Sequence, residues 1–317
     1  MSSDPPFDVL TMGRVGVDFY PTTHGSIVEV RQFDKFLGGS PTNVAVAAAR
    51  LGERAAVITR TGPDPLGEYV HAALRDLGVD DRYVTSVEGL QTPVTFCETF
   101  PPDRFPIYFY RGPKAPDLEI YPDDLDLDAI RAARLFWATA SGLSAEPSRA
   151  ATMAALAARS RRHPTMLDLD YRPTFWSSRE DATQATGEAL THATIAVGNL
   201  EEVSIAVGTR DPDEATDRLL DLGLQLAVVK LGPEGVMAKS RDERVEVPSV
   251  RVKVVNGLGA GDAFGGSLCH GLLAGWPLAD TVRFASAAGA IVASKLGCSE
   301  AMPTVCEVED MLRRGST

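Results

Sequence analysis

Asn256-Gly257-Leu258-Gly259-Ala260-Gly261-Asp262, followed at once by the apolar-periodic run 263–273, decides how the rest of the chain is read. Three glycines in five positions serve backbone shape rather than packing: close approach, positive φ, or both. The segment enters an expected helix, whose first free N–H groups join the loop amides and favour an anion in front of them. Asp262 stands at the same place. A carboxylate beside an anion hole suits transfer of a phosphoryl group to a hydroxyl, because the loose transition state needs positioning and charge neutralisation above all. A glycine turn with an aspartate near a helix start is also common local structure, so the remaining chain must carry the reading.

A second glycine element lies far upstream, Leu37-Gly38-Gly39-Ser40-Pro41-Thr42-Asn43, ahead of an expected helix over 44–51. Ser40 reads as its N-cap, and Pro41 occupies the first helical position, where a missing N–H costs nothing. The paired glycines bring bare backbone to that helix start, where amides and the Asn43 side chain can hold a hydroxyl-rich ligand.

Between these elements the chain alternates. Residues 7–13 form a short apolar run that opens into a loop with Arg14, Gly16 and Asp18, and a carboxylate just past a first strand is where open α/β sheets bind ligands. Strands are expected at 55–60, 83–87, 135–140, 165–170, 193–198 and 226–231, with helices at 66–77, 146–163 and 179–191. Two β-rich excursions, about 19–37 and 93–113, interrupt this pattern and read as a lid over the strand ends. The expectation is one α/β domain over 1–317, doubly wound, with a mainly parallel central sheet, helices on both faces and a small β-sheet lid.

Composition excludes several function classes. A net charge of −12 leaves no basic surplus for a nucleic-acid partner, although local amides and a few arginines can still bind a small anion. The four cysteines, Cys97, Cys269, Cys298 and Cys306, show no metal-ligand spacing and fit a reduced, cytoplasmic interior. Met-Ser-Ser-Asp-Pro-Pro at the start lacks an apolar signal segment, and no apolar run has membrane-spanning length.

The Gly38-Gly39-x-x-x-Asn43 element and the Gly259-Ala260-Gly261-Asp262 element together resemble the two signatures of the ribokinase family, the pfkB-type carbohydrate kinases, and Asn199-x-x-Glu202 resembles its third motif. The resemblance runs over about residues 7–312 and implies a ribokinase-like fold and an ATP-dependent sugar kinase. It makes Asp262 the base that takes a proton from the sugar hydroxyl, and the amides of Gly259, Ala260 and Gly261 the hole for the transferred phosphate. It gives Asp18, Gly38, Gly39 and Asn43 to the substrate hydroxyls. Asn199 and Glu202 would act through water on Mg²⁺ and the phosphates, Lys230, Gly232 and Gly235 would line the nucleotide pocket, and Ser286 would contact adenine. It also implies dimerisation through the lid, and leaves open a monovalent cation at the anion-hole loop. The family's second signature often begins with Asp, where this chain has Asn256; a neutral amide can still order the loop.

Two arginines address the acceptor. Tyr108-Phe109-Tyr110-Arg111 and Asp168-Leu169-Asp170-Tyr171-Arg172 resemble elements of the family's sugar-acid branch, which includes 2-keto-3-deoxygluconate kinases and in which two arginines meet the substrate carboxylate. Asp170 stands where that branch has Asn. The runs 38–52, 92–98, 114–118 and 256–262 are closer to the family's kinases of 5-dehydro-2-deoxy-D-gluconate (2-deoxy-5-keto-gluconate), which implies transfer to the 6-hydroxyl in myo-inositol breakdown. A 2-keto-3-deoxygluconate or fructose-like acceptor stays open, as does a non-catalytic sugar-acid sensor, against which the intact Asp262 and its glycines speak.

Overall fold

The computed structural model describes residues 6–315, so the opening residues read for a signal segment lie partly outside the described part. In chain order the strands are β1 (Val9–Met12), β2 (Gly16–Pro21), β3 (Phe33–Gly38), β4 (Ala55–Thr61), β5 (Val79–Asp80), β6 (Val84–Ser86) and β7 (Val94–Cys97). They continue with β8 (Ile107–Tyr110), β9 (Leu135–Thr139), β10 (Thr165–Asp168), β11 (Ile195–Asn199), β12 (Leu226–Lys230), β13 (Val236–Lys239) and β14 (Arg244–Val247). The helices are α1 (Ser40–Arg50), α2 (Pro65–Asp76), α3 (Leu127–Ala132), α4 (Ser148–Ala158) and α5 (Arg179–Leu190). After them come α6 (Leu200–Val207), α7 (Pro212–Asp221), α8 (Ala260–Leu273), α9 (Leu278–Ala293) and α10 (Val305–Gly315).

Among the described residues the large sheet has the order β14-β13-β12-β11-β10-β9-β1-β4-β5, with β6 also on β4. Its pairs are parallel except at the β12-β13-β14 edge. Strands buried on both faces need near-continuous apolar runs, and β1, β9 and β12 supply them, with Thr11, Thr139 and Lys230 the exceptions. Successive residues then feed opposite cores. Val9, Val57 and Trp137 join α1, α8 and α9 on one face; Leu10, Ala56 and Phe136 join α4, α5 and α7 on the other. Both layers expected from the alternation are present.

The second sheet, β3-β2-β7-β8, is the lid. Its strands come from the two predicted excursions, paired antiparallel within each and joined in parallel through β2 and β7. Phe96 ties them together, stacked on Phe19 at 5.0 Å and edge-on to Phe33 and Tyr110. The first lid strand starts at Gly16 rather than near 19, so Asp18 lies inside a lid strand and not in the loop after the first strand. The helix expected over 146–163 stops earlier, at Ala158. Arg159 there turns inward, donating to the carbonyls of Ile130, Ala133 and Pro164, and Ser160 and Arg161 take left-handed conformations. Among the described residues no helix is long and apolar enough to cross a membrane.

Candidate active site

The strand order reverses between β1 and β9, and ligands of open α/β sheets bind outside the carboxyl ends of the strands at such a point. The chain delivers polar residues there one strand at a time: Arg14 after β1, Ser141 after β9, Asp170 and Arg172 after β10, Asn199 and Lys230 at the ends of β11 and β12. The lid strand β2 adds Asp18 from above. A cleft of about 410 Å³, its open mouth included, is lined by Arg14, Asp18, Gly39, Ser40, Asn43, Arg172, Gly259 and Asp262, with Tyr20, Thr95, Phe109 and Cys298 at its edges.

Asp262 sits in the first turn of α8, whose N-cap is Gly259 in the left-handed region at φ 83°. A side chain at that position would be strained, and its Cβ would lie 2.7 Å from Cys298 Sγ. The loop before it is pinned by Asn256, fully buried, whose Oδ1 accepts from Leu258 N at 3.1 Å while its Nδ2 has no partner. Helix α8 comes close to α1 because Gly266 faces Ala47, where an added Cβ would stand 2.4 Å away. That approach brings the two glycine elements together. Ser40 Oγ donates to Asp262 Oδ1 and Asn43 Nδ2 to Asp262 Oδ2, both at 2.7 Å. Asn43 is oriented in turn by Ser299, whose Oγ donates to Asn43 Oδ1 at 2.6 Å. Burial pushes the Asp262 carboxyl above its ordinary range; Asn43, Ser40 and Arg14 pull it back.

Ser40 therefore is not the helix cap expected from the sequence. Gly39, at φ 104°, is the N-cap, and the Ser40 hydroxyl serves Asp262 instead. Gly38 has a separate reason to be glycine, since a Cβ would fall 2.3 Å from the Asp18 carboxylate. Asp18 is half-buried, and burial raises its pKa to about 6 against the pull of Arg14 and Thr95.

The cleft's cations share one carboxylate. Asp170 Oδ2 receives Arg14 Nε at 3.3 Å and Ser141 Oγ at 2.8 Å, and Asp170 Oδ1 pairs with Arg172 Nη2 at 3.0 Å. Burial opposes the Asp170 charge, yet Arg14, Arg172 and Ser141 outweigh it and hold the carboxyl well below its usual range. Arg172 Nε is buried without a partner. Arg111 takes a different place. Its Nη2 pairs with Asp117 Oδ1 at 2.5 Å, its guanidinium lies 5.0 Å from the Phe175 ring centre, and Phe175 packs on the cleft residue Phe109. Asp117 Oδ2 also accepts from Val15 N at 3.2 Å. Arg111 is thus captured behind the wall, where it braces the loop that carries Arg14.

A second cluster adjoins through Gly261. Lys230 Nζ lies 3.3 Å from where a Gly261 Cβ would be. Burial disfavours the Lys230 ammonium, but Asp168, Glu202, Asp262 and Asp170 overcome this and raise its pKa. Asp168 is pushed up to about 7 by burial, with Glu202 adding to the rise and Lys230 opposing it. Asn199 and Glu202 form a capping box on α6: Asn199 Oδ1 accepts from the Glu202 amide at 3.0 Å, and Glu202 Oε2 from the Asn199 amide at 2.7 Å. Gly232 and Gly235 bracket the turn after β12, and Ser286 on α9 keeps a buried hydroxyl with no partner. Gly232, Gly235 and Ser286 are not among the residues that line the Asp262 cleft.

Sequence reading missed Arg14, Asp117, Cys298 and Ser299 at this site. Arg14 was open to discovery, two residues past the end of the first strand. Ser299 and Asp117 act through other side chains and leave no motif.

The model of the pfkB family carbohydrate kinases matches residues 7–305. A 5-dehydro-2-deoxygluconokinase of Photobacterium profundum is 36% identical over 313 residues, 96% of this chain and 94% of that protein. One from Clostridium perfringens is 32% identical over 316 residues, 97% of this chain and 93% of its own length. Among solved structures, a putative ribokinase II of E. coli in complex with ATP and Mg²⁺ superposes with a TM-score of 0.88 at 22% identity, over 97% of this chain and 99% of its own.

Proposed function

The chain belongs to the pfkB family of carbohydrate kinases, and on that premise we propose that it transfers the γ-phosphoryl group of ATP to the 6-hydroxyl of 5-dehydro-2-deoxy-D-gluconate. The observation that carries the reading is Asp262, held by Ser40 and Asn43 at the head of α8, facing a cleft that also contains Arg14 and Arg172. Asp262 takes the hydroxyl proton as the oxygen attacks. The amides at 259–261 receive the transferred group, and Lys230 beside Gly261 offsets its charge. Asp18 and Asn43 hold acceptor hydroxyls, while Arg172 faces the carboxylate. The names and identities of the two kinases above support this acceptor.

On the donor side, the buried carboxylates Asp168 and Glu202 beside one ammonium are a donor set suited to Mg²⁺ held through water. When bound, Mg²⁺ would neutralise the phosphates, and Asn199 would order that water. Gly232, Gly235 and the unpartnered Ser286 hydroxyl are assigned to the nucleotide. Asn256 Oδ1 accepts one hydrogen bond, from Leu258 N, and keeps a second lone pair that could serve a monovalent cation at this loop. The exposed Tyr108 and Tyr110 on β8 support a homodimer through the lid, which sedimentation would test.

One observation favours a second reading, a neutral hexose acceptor: Arg111 is bound to Asp117 and does not line the cleft. ATP-dependent ADP release with 5-dehydro-2-deoxy-D-gluconate, 2-keto-3-deoxygluconate and fructose tests both. Preference for the first acid supports the proposal, and preference for fructose removes it. Asp262→Asn should lower kcat by about 10²–10⁴ while sugar binding persists; unchanged turnover would rule out the base.

A further inference from the structure

Arg14 has donors that the proposed transfer leaves unused. It is a buried cation in the wall of the acceptor cleft, with only 13% of its side chain exposed. Among the described residues its side chain makes one hydrogen bond, from Nε to Asp170, so neither terminal nitrogen is committed. The Arg172 guanidinium on the other oxygen of Asp170 shows the same incompleteness, with Nε buried and unpartnered. A buried donor without an acceptor is costly, and Arg172 Nε beside the uncommitted terminal nitrogens of Arg14 offers several donors to an incoming acceptor group.

Charge points the same way. Two guanidiniums share Asp170 by direct contact, while the other carboxylates that Arg14 feels, Asp262 and Asp18, act on it through space and take none of its N–H groups. An anionic group would give those N–H groups a charged acceptor, which a neutral sugar does not. The corner is also fixed in place. Ser141 holds Asp170, the Phe109 ring lies 5.8 Å from the Arg14 guanidinium carbon, and Val15 N is anchored to Asp117. A cation so constrained gives up little freedom when the ligand arrives.

Resting on the sugar-acid reading above, we propose that Arg14 is the residue that selects an anionic acceptor, its free guanidinium nitrogens and Arg172 Nε together receiving the acceptor's carboxylate. Asp170 is a positioning residue that holds the two guanidiniums side by side. Its carboxylate, where the sugar-acid branch resembled by this stretch has an amide, provides the second charge that keeps Arg14 at the wall.

The test compares acid and neutral acceptors in wild type and Arg14→Gln, using ADP release with 5-dehydro-2-deoxy-D-gluconate, 2-keto-3-deoxygluconate and fructose. Loss of a charge-assisted contact should raise KM for whichever acid is used by about tenfold to a hundredfold. KM for ATP should change much less, and kcat/KM for fructose should fall by a clearly smaller factor than for the acid, since fructose brings no carboxylate to that corner. Asp170→Asn should give a smaller KM rise of the same acid-selective kind. If Arg14→Gln does not fold, Arg14→Lys is read by the same comparison, because an ammonium keeps the charge but loses the fork. A wild-type enzyme that prefers the acid, with a variant that loses acid and fructose turnover equally, overturns the role of Arg14 and leaves the sugar-acid reading intact. A wild-type preference for fructose overturns both.

Discussion

Asn43 Nδ2 donates to Asp262 Oδ2 across 2.7 Å, a bond between residues 219 positions apart that joins the two glycine elements of the chain. It exists because Gly266 lets α8 close onto α1, and because Ser299 fixes which way the Asn43 amide faces. The proposed base is therefore aimed by its neighbours before any substrate arrives.

Removing that donor should change the pH profile as well as the rate. Burial raises the Asp262 pKa and Asn43 opposes the rise, so Asn43→Ala should raise it further. The base works ionised, hence the acidic limb of the kcat profile should move to higher pH. At a fixed neutral pH kcat should fall about tenfold or more, the worth of a charge-assisted bond. Ser299 Oγ keeps the carbonyl of Leu37 as an acceptor, so the fold should survive. A limb that stays in place would show that Asp262 is not the titrating base.

Gly259→Ala tests the anion hole. The glycine stands at φ 83°, and a Cβ there would press on Cys298 Sγ at 2.7 Å. Either strain would turn the amides of 259–261 away from the phosphate, so kcat should drop by about 10²–10³ with a much smaller change in sugar affinity. Gly259→Ala combined with Cys298→Ala relieves the contact but not the φ strain. Full recovery in the double variant would show that sterics alone set the requirement.

Much of this arrangement was legible in the sequence, for physical reasons. The parallel sheet announced itself through buried apolar runs such as 55–60, and the lid through alternating aromatic stretches, because period and burial are local properties. Both glycine elements were readable as well, since close approach and positive φ leave a composition mark. What the chain concealed was pairing. Nothing local tells that Ser40 serves Asp262 rather than its own helix, a contact made across 222 positions; Asp117 captures Arg111 only six residues away, but in a loop whose sequence has no period to announce it. Asp18 was expected in the loop after the first strand and instead lines the cleft from a lid strand, because that strand begins at Gly16 and leaves only three residues after β1.

The Arg111–Asp117 pair should behave as structure rather than as a substrate contact. Both partners are largely buried, at 14% and 2% side-chain exposure. Arg111→Leu leaves Asp117 an uncompensated buried charge, a loss of about 3–5 kcal/mol in denaturant unfolding. KM for the sugar acid should rise only through the loosened Val15 anchor, and less than in Arg14→Gln. A large acid-specific KM increase without loss of stability would instead place Arg111 at the carboxylate.

Asp18 sets function against stability, with a sign that can be worked out. Its pKa is raised in the fold from 3.8 to about 6, chiefly by burial, so the folded state holds that proton more tightly than the unfolded chain. Below pH 3.8 both states are protonated and nothing is lost; as pH rises through 6 the folded state must ionise a half-buried carboxyl, and stability falls. The full penalty is at most about 3 kcal/mol, reduced by whatever water the cleft admits. Asp18→Asn removes the ionisation, so it should unfold at higher denaturant than wild type at pH 8 and match it near pH 4. The same variant should bind the acceptor more weakly, because an amide at this position presents one acceptor oxygen to the substrate hydroxyls where the carboxylate presents two. A stability gap that is equal at both pH values would mean that Asp18 is already ionised without cost, and that the lid strand places it in water rather than over the cleft.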